Sequence, residues 1–94
     1  MELDELRKQI DQIDRELVEL FKARMSVSAQ VAEYKKENGM AVFDPSRERA
    51  LLGKISELSG EELEEYSIAL YRTILELSRS YQQKQIDRDS SGKN

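Results

Sequence analysis

The chain has 94 residues, of which 38% are hydrophobic and 36% charged, with four Gly, one Pro and no Trp. It contains no Cys and no His, which excludes disulfides, thiolate zinc sites, Cys or His nucleophiles and imidazole acid–base relays. Nineteen acidic against 15 basic residues give a net charge of −4, so the surface repels nucleic acid and anionic membranes, and neither is an expected partner.

Richness in Glu, Leu, Lys, Arg and Gln, with few breakers, predicts an all-α chain. No run of about 18 apolar residues exists to span a bilayer. The start, Met1-Glu2-Leu3-Asp4-Glu5-Leu6, lacks the apolar stretch of a signal peptide. The cytoplasm is the expected setting. A chain of this size buries only about 60–65% of its unfolded surface. With no disulfide or thiolate metal site to reinforce it, association with a second chain is the remaining route to stability.

The first predicted element is the longest. Leu3, Leu6, Ile10, Ile13, Leu17, Leu20, Val27, Val31 and Tyr34 recur in steps of three and four, the spacing of a helical seam. Neither Gly nor Pro occurs from Glu2 to Lys36, so one helix of about 35 residues, roughly 50 Å long, is expected. A compact chain of this length has a radius of gyration near 12–13 Å. Such a helix projects beyond a compact monomer, and its stripe needs cover from another chain. Length and stripe together predict a homodimer in which two long helices share a core.

Asn38-Gly39 closes the first helix. Met40 to Phe43 form a loop, and Asp44-Pro45 supplies an N-cap followed by Pro at the first helical position. A second helix is expected from Pro45 to Leu58, with Leu51, Leu52, Ile55 and Leu58 inward and Gly53 weakening it by about 0.5–1 kcal/mol relative to Ala. Ser59 is read as the cap of a third helix from about Gly60 to Gln85, with Leu63, Leu70, Ile74, Leu77 and Tyr81 as its apolar side. Residues 1–86 form one helical domain in this reading, and the polar tail, residues 87–94, is expected to be disordered.

Several residues do not fit the packing pattern. Arg24 sits on the apolar seam and needs an anionic partner there, a Glu across the dimer or a ligand, unless its side chain snorkels out to solvent. Lys35, eleven residues on, returns to within about 20° of the same direction at roughly 16 Å along the axis. An anion of metabolite size fits between the two, floored by Ser28 and Val31; the plainer alternative for Lys35 is a solvated charge at a helix C-terminus. Arg7 lies about 25 Å from Arg24 on another face. An antiparallel partner helix brings Arg7 of one chain toward Arg24 of the other, giving two equivalent sites per dimer. Otherwise Arg7 is an exposed side chain beside Asp11.

Asp44, Arg47 and Glu48 cluster at the start of the second helix, where a cap is one explanation and a site another. On the third helix, Leu70, Ile74, Ser78 and Gln82 form a ridge that turns from apolar to polar. That ridge either emerges into solvent or presents hydrogen-bond donors to a ligand. Together these residues describe an electropositive pocket with no metal ligand set, no nucleophile–base pair and no phosphate loop. It suits a small polyanion bearing a hydroxyl, and a reaction that needs only orientation and charge stabilisation.

The ordered set resembles the all-helical class of chorismate mutases. The segments that carry the resemblance are Leu6-Arg7-Lys8-Gln9-Ile10-Asp11-Gln12-Ile13-Asp14, Ala23-Arg24, Val31-Ala32-Glu33-Tyr34-Lys35, Asp44-Pro45-Ser46-Arg47-Glu48-Arg49, and Ser78 with Gln82. They cover about residues 3–85. The resemblance implies an intertwined dimer of three-helix chains and a cofactor-free Claisen rearrangement of chorismate to prephenate, a step toward Phe and Tyr. It implies that Arg24 and the partner chain's Arg7 bind the two substrate carboxylates, with Arg47 supporting the same end. Glu48 accepts from the ring hydroxyl beside the Asp44 backbone, Lys35 and Gln82 hydrogen-bond the ether oxygen, and Ser78 touches the ring-side carboxylate. In some relatives the Gln82 position is a Glu that must be protonated to donate; Gln implies no such acid requirement. Two rival functions stand beside this one: an isochorismate–pyruvate lyase, which shares the fold and much of the pocket, and a helical dimerisation module with no catalysis. A detached domain of a larger aromatic-pathway enzyme is a third arrangement, with the Ser90-Ser91-Gly92 tail as its linker.

Overall fold

The computed structural model describes residues 2–91. These form three helices, α1 (Leu3–Glu37), α2 (Pro45–Ser59) and α3 (Glu64–Ser91), with no strand among the described residues. The expected all-α, three-helix chain with one very long first helix is observed.

Helix α1 runs 35 residues without a break. Asp4 and Glu5 in its first turn and Lys35 and Lys36 in its last oppose the ends of the helix dipole favourably. It stops where Gly39 takes a φ of 63°, a left-handed conformation that suits Gly. The Met40 N–H then donates to the Lys35 carbonyl at 2.8 Å and the Gly39 N–H to that of Lys36 at 3.4 Å, the paired bonds of a Schellman ending. Helix α2 starts as expected: the Asp44 side chain accepts from the Arg47 N–H at 3.1 Å, and Pro45 occupies the first turn.

Three boundaries and faces differ from expectation. Ser59 does not cap α3; it is the last residue of α2, and its Oγ donates back to the Ile55 carbonyl at 2.6 Å. Gly60, with φ 76°, ends α2, and α3 begins only at Glu64 after a turn. At the other end, α3 continues past the expected boundary at Gln85 to Ser91. The sequence offers no Gly or Pro between Gly60 and Gly92 to stop it, and Gln83 donates to Asp87 one turn on at 3.0 Å. The rest of the expected tail, residues 92–94, lies outside the described residues. Among the described residues the buried apolar side chains are Ala32, Ile55 and Leu75. Leu58, Leu63, Leu70, Leu77 and Tyr81, all expected inward, are exposed.

Helix α3 lies between the other two, which do not approach each other directly. Arg24 meets Ser78 and Ser28 meets Gln82, so α1 and α3 run parallel. Glu48 meets Arg79 while Ser56 meets Glu64, so α2 and α3 run antiparallel. The result is a sheet of helices 59 × 28 × 14 Å with a radius of gyration of 16.9 Å. About 12–13 Å is expected of a compact chain this long. Every residue from Glu2 to Ala23 is exposed, including Leu3, Leu6, Ile10, Ile13, Leu17 and Leu20 of the seam. Among the described residues the apolar stripe of α1 from Leu3 to Leu20 is therefore largely uncovered, with only Leu17 and Leu20 bordering a shallow groove against Leu70, Ile74 and Leu77 of α3.

Candidate active site

Where the C-terminal half of α1, the loop after it, the start of α2 and the middle of α3 converge, they line a cavity of about 180 Å³. That is smaller than the roughly 300–1,000 Å³ usual for small-molecule pockets. Arg24, Ser28, Val31 and Lys35 come from α1, spaced so that they share one face over three turns. Val42 and Asp44 come from the loop, Arg47, Glu48 and Leu51 from α2, and Leu75, Ser78, Arg79 and Gln82 from α3.

The structure thus gathers seven of the predicted site residues around one cavity: Arg24, Lys35, Asp44, Arg47, Glu48, Ser78 and Gln82. Ser28 and Val31 line it as the expected floor. The eighth, Arg7, lies apart. It is exposed on α1, about 25 Å along the helix from Arg24, and pairs with no carboxylate among the described residues, Asp11 included.

A hydrogen-bonded chain ties α1 to α3 beneath the cavity. Arg24 Nη1 donates to Ser78 Oγ at 3.1 Å, Ser78 Oγ and Ser28 Oγ are 2.9 Å apart, and Gln82 Nε2 donates to the Ser28 carbonyl at 2.9 Å. A carbonyl only accepts, so the amide nitrogen of Gln82 must face it. One amide N–H of Gln82 then remains to offer elsewhere. Ser78 and Gln82 are buried, at 6% and 7% exposure; the polar end of the α3 ridge faces α1 rather than solvent. Arg24 makes no ion pair among the described residues. Its guanidinium carbon lies 6.0 Å from the centroid of the Tyr71 ring, at the outer limit of a cation–π contact. Lys35 Nζ donates to the Val42 carbonyl at 2.8 Å, which fixes its ammonium against the loop and leaves two of its three donors free.

Four cations line the cavity, Arg24, Lys35, Arg47 and Arg79, against the carboxylates of Asp44 and Glu48. The lining thus carries an excess of positive charge in a chain of net charge −4, which suits an anionic ligand. Arg79 was not among the predicted residues. It pairs with Glu48, Nη1 to Oε2 at 2.6 Å, and its place four residues after Leu75 on α3 is the signal that could have found it. Among the described residues no group of three or more acidic side chains is placed to hold a metal.

Comparison with known families matches residues 6–83 to chorismate mutase type II. The chain belongs to this family. Over 87 residues it is 31% identical to a chorismate mutase of Methanocaldococcus jannaschii, covering 90% of this chain and 88% of the relative. It is 33% identical over 88 residues to a bifunctional chorismate mutase/prephenate dehydratase of Aquifex aeolicus, covering 88% of this chain and 24% of that larger protein. A T-protein of Haemophilus influenzae is 42% identical over 50 residues, 53% of this chain and 13% of the relative. No solved structure matches significantly. The family match spans Arg7, the seven gathered site residues and the seam of α1 from Leu6 onward.

Proposed function

We propose that this chain is a chorismate mutase that works as an intertwined homodimer, each site completed by Arg7 of the partner subunit. The observation that carries the reading is the cavity itself: in a protein of the chorismate mutase type II family, Arg24, Lys35 and Gln82 converge on one space from two helices.

The rearrangement breaks the substrate's C–O ether bond and forms a C–C bond within the same molecule. It needs no cofactor, and no proton enters or leaves, so the absence of His costs nothing. Cleavage runs ahead of bond formation, and negative charge builds on the ether oxygen. Lys35 and Gln82 meet that charge with fixed donors, each worth about 2.7–4 kcal/mol of transition-state stabilisation. Arg24 and the partner's Arg7 grip the two carboxylates, with Arg47 beside them. That grip holds the compact, chair-like conformer from which reaction occurs. Glu48 accepts from the ring hydroxyl beside the Asp44 backbone, and Ser78 touches the ring-side carboxylate.

The dimer is supported by surface area. A folded chain of 10.9 kDa exposes about 5,600 Å², whereas this one exposes 7693 Å². The excess, roughly 2,000 Å² per chain and so about 4,000 Å² per dimer, falls within the about 2,000–5,000 Å² that obligate interfaces bury in total. A small, open cavity is also what a site awaiting a second chain's side chain looks like. A cytoplasmic setting, expected from the cysteine-free composition, is part of the reading.

The test is loss of chorismate absorbance with the purified protein, together with its mass in solution and a parallel assay of pyruvate release from isochorismate. Conversion of chorismate by a dimer is expected. A folded monomer, or pyruvate release without conversion of chorismate, overturns the reading.

A further inference from the structure

One charged group at the cavity has no part in the scheme above. Arg79 projects from α3 toward α2, where its Nη1 lies 2.6 Å from Glu48 Oε2 and also contacts Oε1. A single nitrogen therefore straddles both carboxylate oxygens. On its other side the guanidinium carbon lies 5.0 Å from the centroid of the Phe43 ring, within cation–π range. The pair is half-buried, with side-chain exposures of 35% for Arg79 and 20% for Glu48. No other cation pairs with Glu48 among the described residues.

We propose that Arg79 is a positioning residue for Glu48, holding its carboxylate in one orientation and cancelling its charge so that an acidic acceptor can stand in a site built for a dianion. The proposal rests on the chorismate reading above. A hydroxyl-bearing dianion presents the site with opposed demands. Its carboxylates need cations, and its hydroxyl needs an acceptor, for which an ionised carboxylate serves well but repels the rest of the ligand. Pairing the acceptor with Arg79 meets both. A carboxylate offers about four lone-pair positions, and a donor between the oxygens leaves the outer ones free. The lining then sums to four cations and two carboxylates; removing Arg79 reduces the excess from two charges to one. The contact with Phe43 extends the hold to the loop whose Val42 carbonyl anchors Lys35.

The experiment measures chorismate kinetics for Arg79→Met, Arg79→Lys, Glu48→Gln and the Arg79→Met/Glu48→Gln pair, with circular dichroism and solution mass for each. Arg79→Met keeps most of the apolar stem and removes the charge. It is expected to lower kcat/KM about 10- to 100-fold, from the loss of a charged hydrogen bond, with most of the change in KM because repulsion acts on the bound substrate and the transition state alike. Arg79→Lys is expected to stay within about threefold of wild type, since the contact uses one nitrogen rather than the two-pronged fork. In the Glu48→Gln background the loss in kcat/KM caused by Arg79→Met is expected to shrink several-fold, because no carboxylate remains to position and only the guanidinium's own attraction for the dianion is removed.

An Arg79→Met enzyme within twofold of wild type overturns the proposal. So does Arg79→Lys falling as far as Arg79→Met, or an undiminished effect in the Glu48→Gln background; both describe a packing role. Should Arg79→Met not fold, Arg79→Gln is read by the same criteria. Wild-type protein that leaves chorismate unchanged overturns the functional reading and this proposal together, whereas an active wild type with an indifferent Arg79→Met overturns this proposal alone.

Discussion

Gln82 supplies the sharpest test of how the site stabilises charge. Its side chain is 7% exposed and its amide nitrogen donates to the Ser28 carbonyl at 2.9 Å. Gln82→Glu keeps the shape but replaces a permanent donor with a group that donates only when protonated. The new carboxylate faces a carbonyl oxygen, acceptor against acceptor, and burial disfavours its charge. Both effects raise its pKa above the ordinary value of about 4.3. The donating fraction therefore falls as pH rises through that raised value, and kcat/KM should drop between pH 5 and pH 8. The floor is the loss of one donor to the ether oxygen, about 100- to 1000-fold.

Stability should follow the same sign. A carboxyl whose folded pKa is raised binds more protons in the native state, so stability is lost as pH rises from the unfolded value through the folded one. Chorismate kinetics and thermal unfolding across pH 5–8 read both effects against wild type, whose amide does not titrate and whose chain has no His or Cys. A Gln82→Glu enzyme with full activity at pH 8 and the wild-type pH profile would refute Gln82 as the donor.

Other expectations concern the second chain and the cap. Arg7→Ala and Arg24→Ala should each remain folded and lose most of their activity. Mixed after unfolding and refolding, they should recover about a quarter of the wild-type sites, since half the dimers are mixed and each mixed dimer has one intact site; no recovery refutes a site shared between chains. Ile13→Glu changes a residue that is 53% exposed on the single chain, so in a monomer it should cost under about 0.5 kcal/mol. If α1 is covered by a partner it should instead abolish the dimer and the fold, and the wild-type Tm should rise with protein concentration. Asp44→Ala removes the cap on α2 and should cost about 1 kcal/mol, whereas Asp44→Asn keeps an acceptor and should leave the Tm nearly unchanged; equal Tm losses for the two argue against capping.

Local signals were the legible part of this fold. The unbroken stretch before Asn38-Gly39 and the Asp44-Pro45 start place α1 and the beginning of α2 because each depends on a few neighbouring residues. The beginning of α3 was misread because Ser59 serves two motifs equally well, and its hydroxyl bonds back to Ile55 rather than forward. The face of α3 was misread for a tertiary reason. The helix sits between two others and so has two inward sides, Ser78 and Gln82 toward α1, and Leu75 and Arg79 toward α2. A single-ridge pattern finds the first and misses the second, which is why Arg79 went unnoticed. Leu70 and Leu77 read as core, yet lie open on the single chain at 55% and 47% exposure. The candidate site was legible wherever an odd residue broke a pattern: Arg24 in an apolar seam, Arg47 in a first turn, polar residues along an apolar ridge.

The continuity of α1 from Leu3 to Glu37 makes it a ruler. Every side chain on it is indexed to every other by fixed increments, about 1.5 Å and 100° per residue. Adding or deleting one residue between Arg24 and Lys35 swings one guanidinium or ammonium a quarter-turn or more away from the other, and no neighbouring joint can undo the twist. Of the two connections, residues 38–44 are tied to the cavity through Val42 and Asp44, and only residues 60–63 lie clear of it. The protein's spacing is thus written into a rod, and its room for a change of length into the short turn before α3.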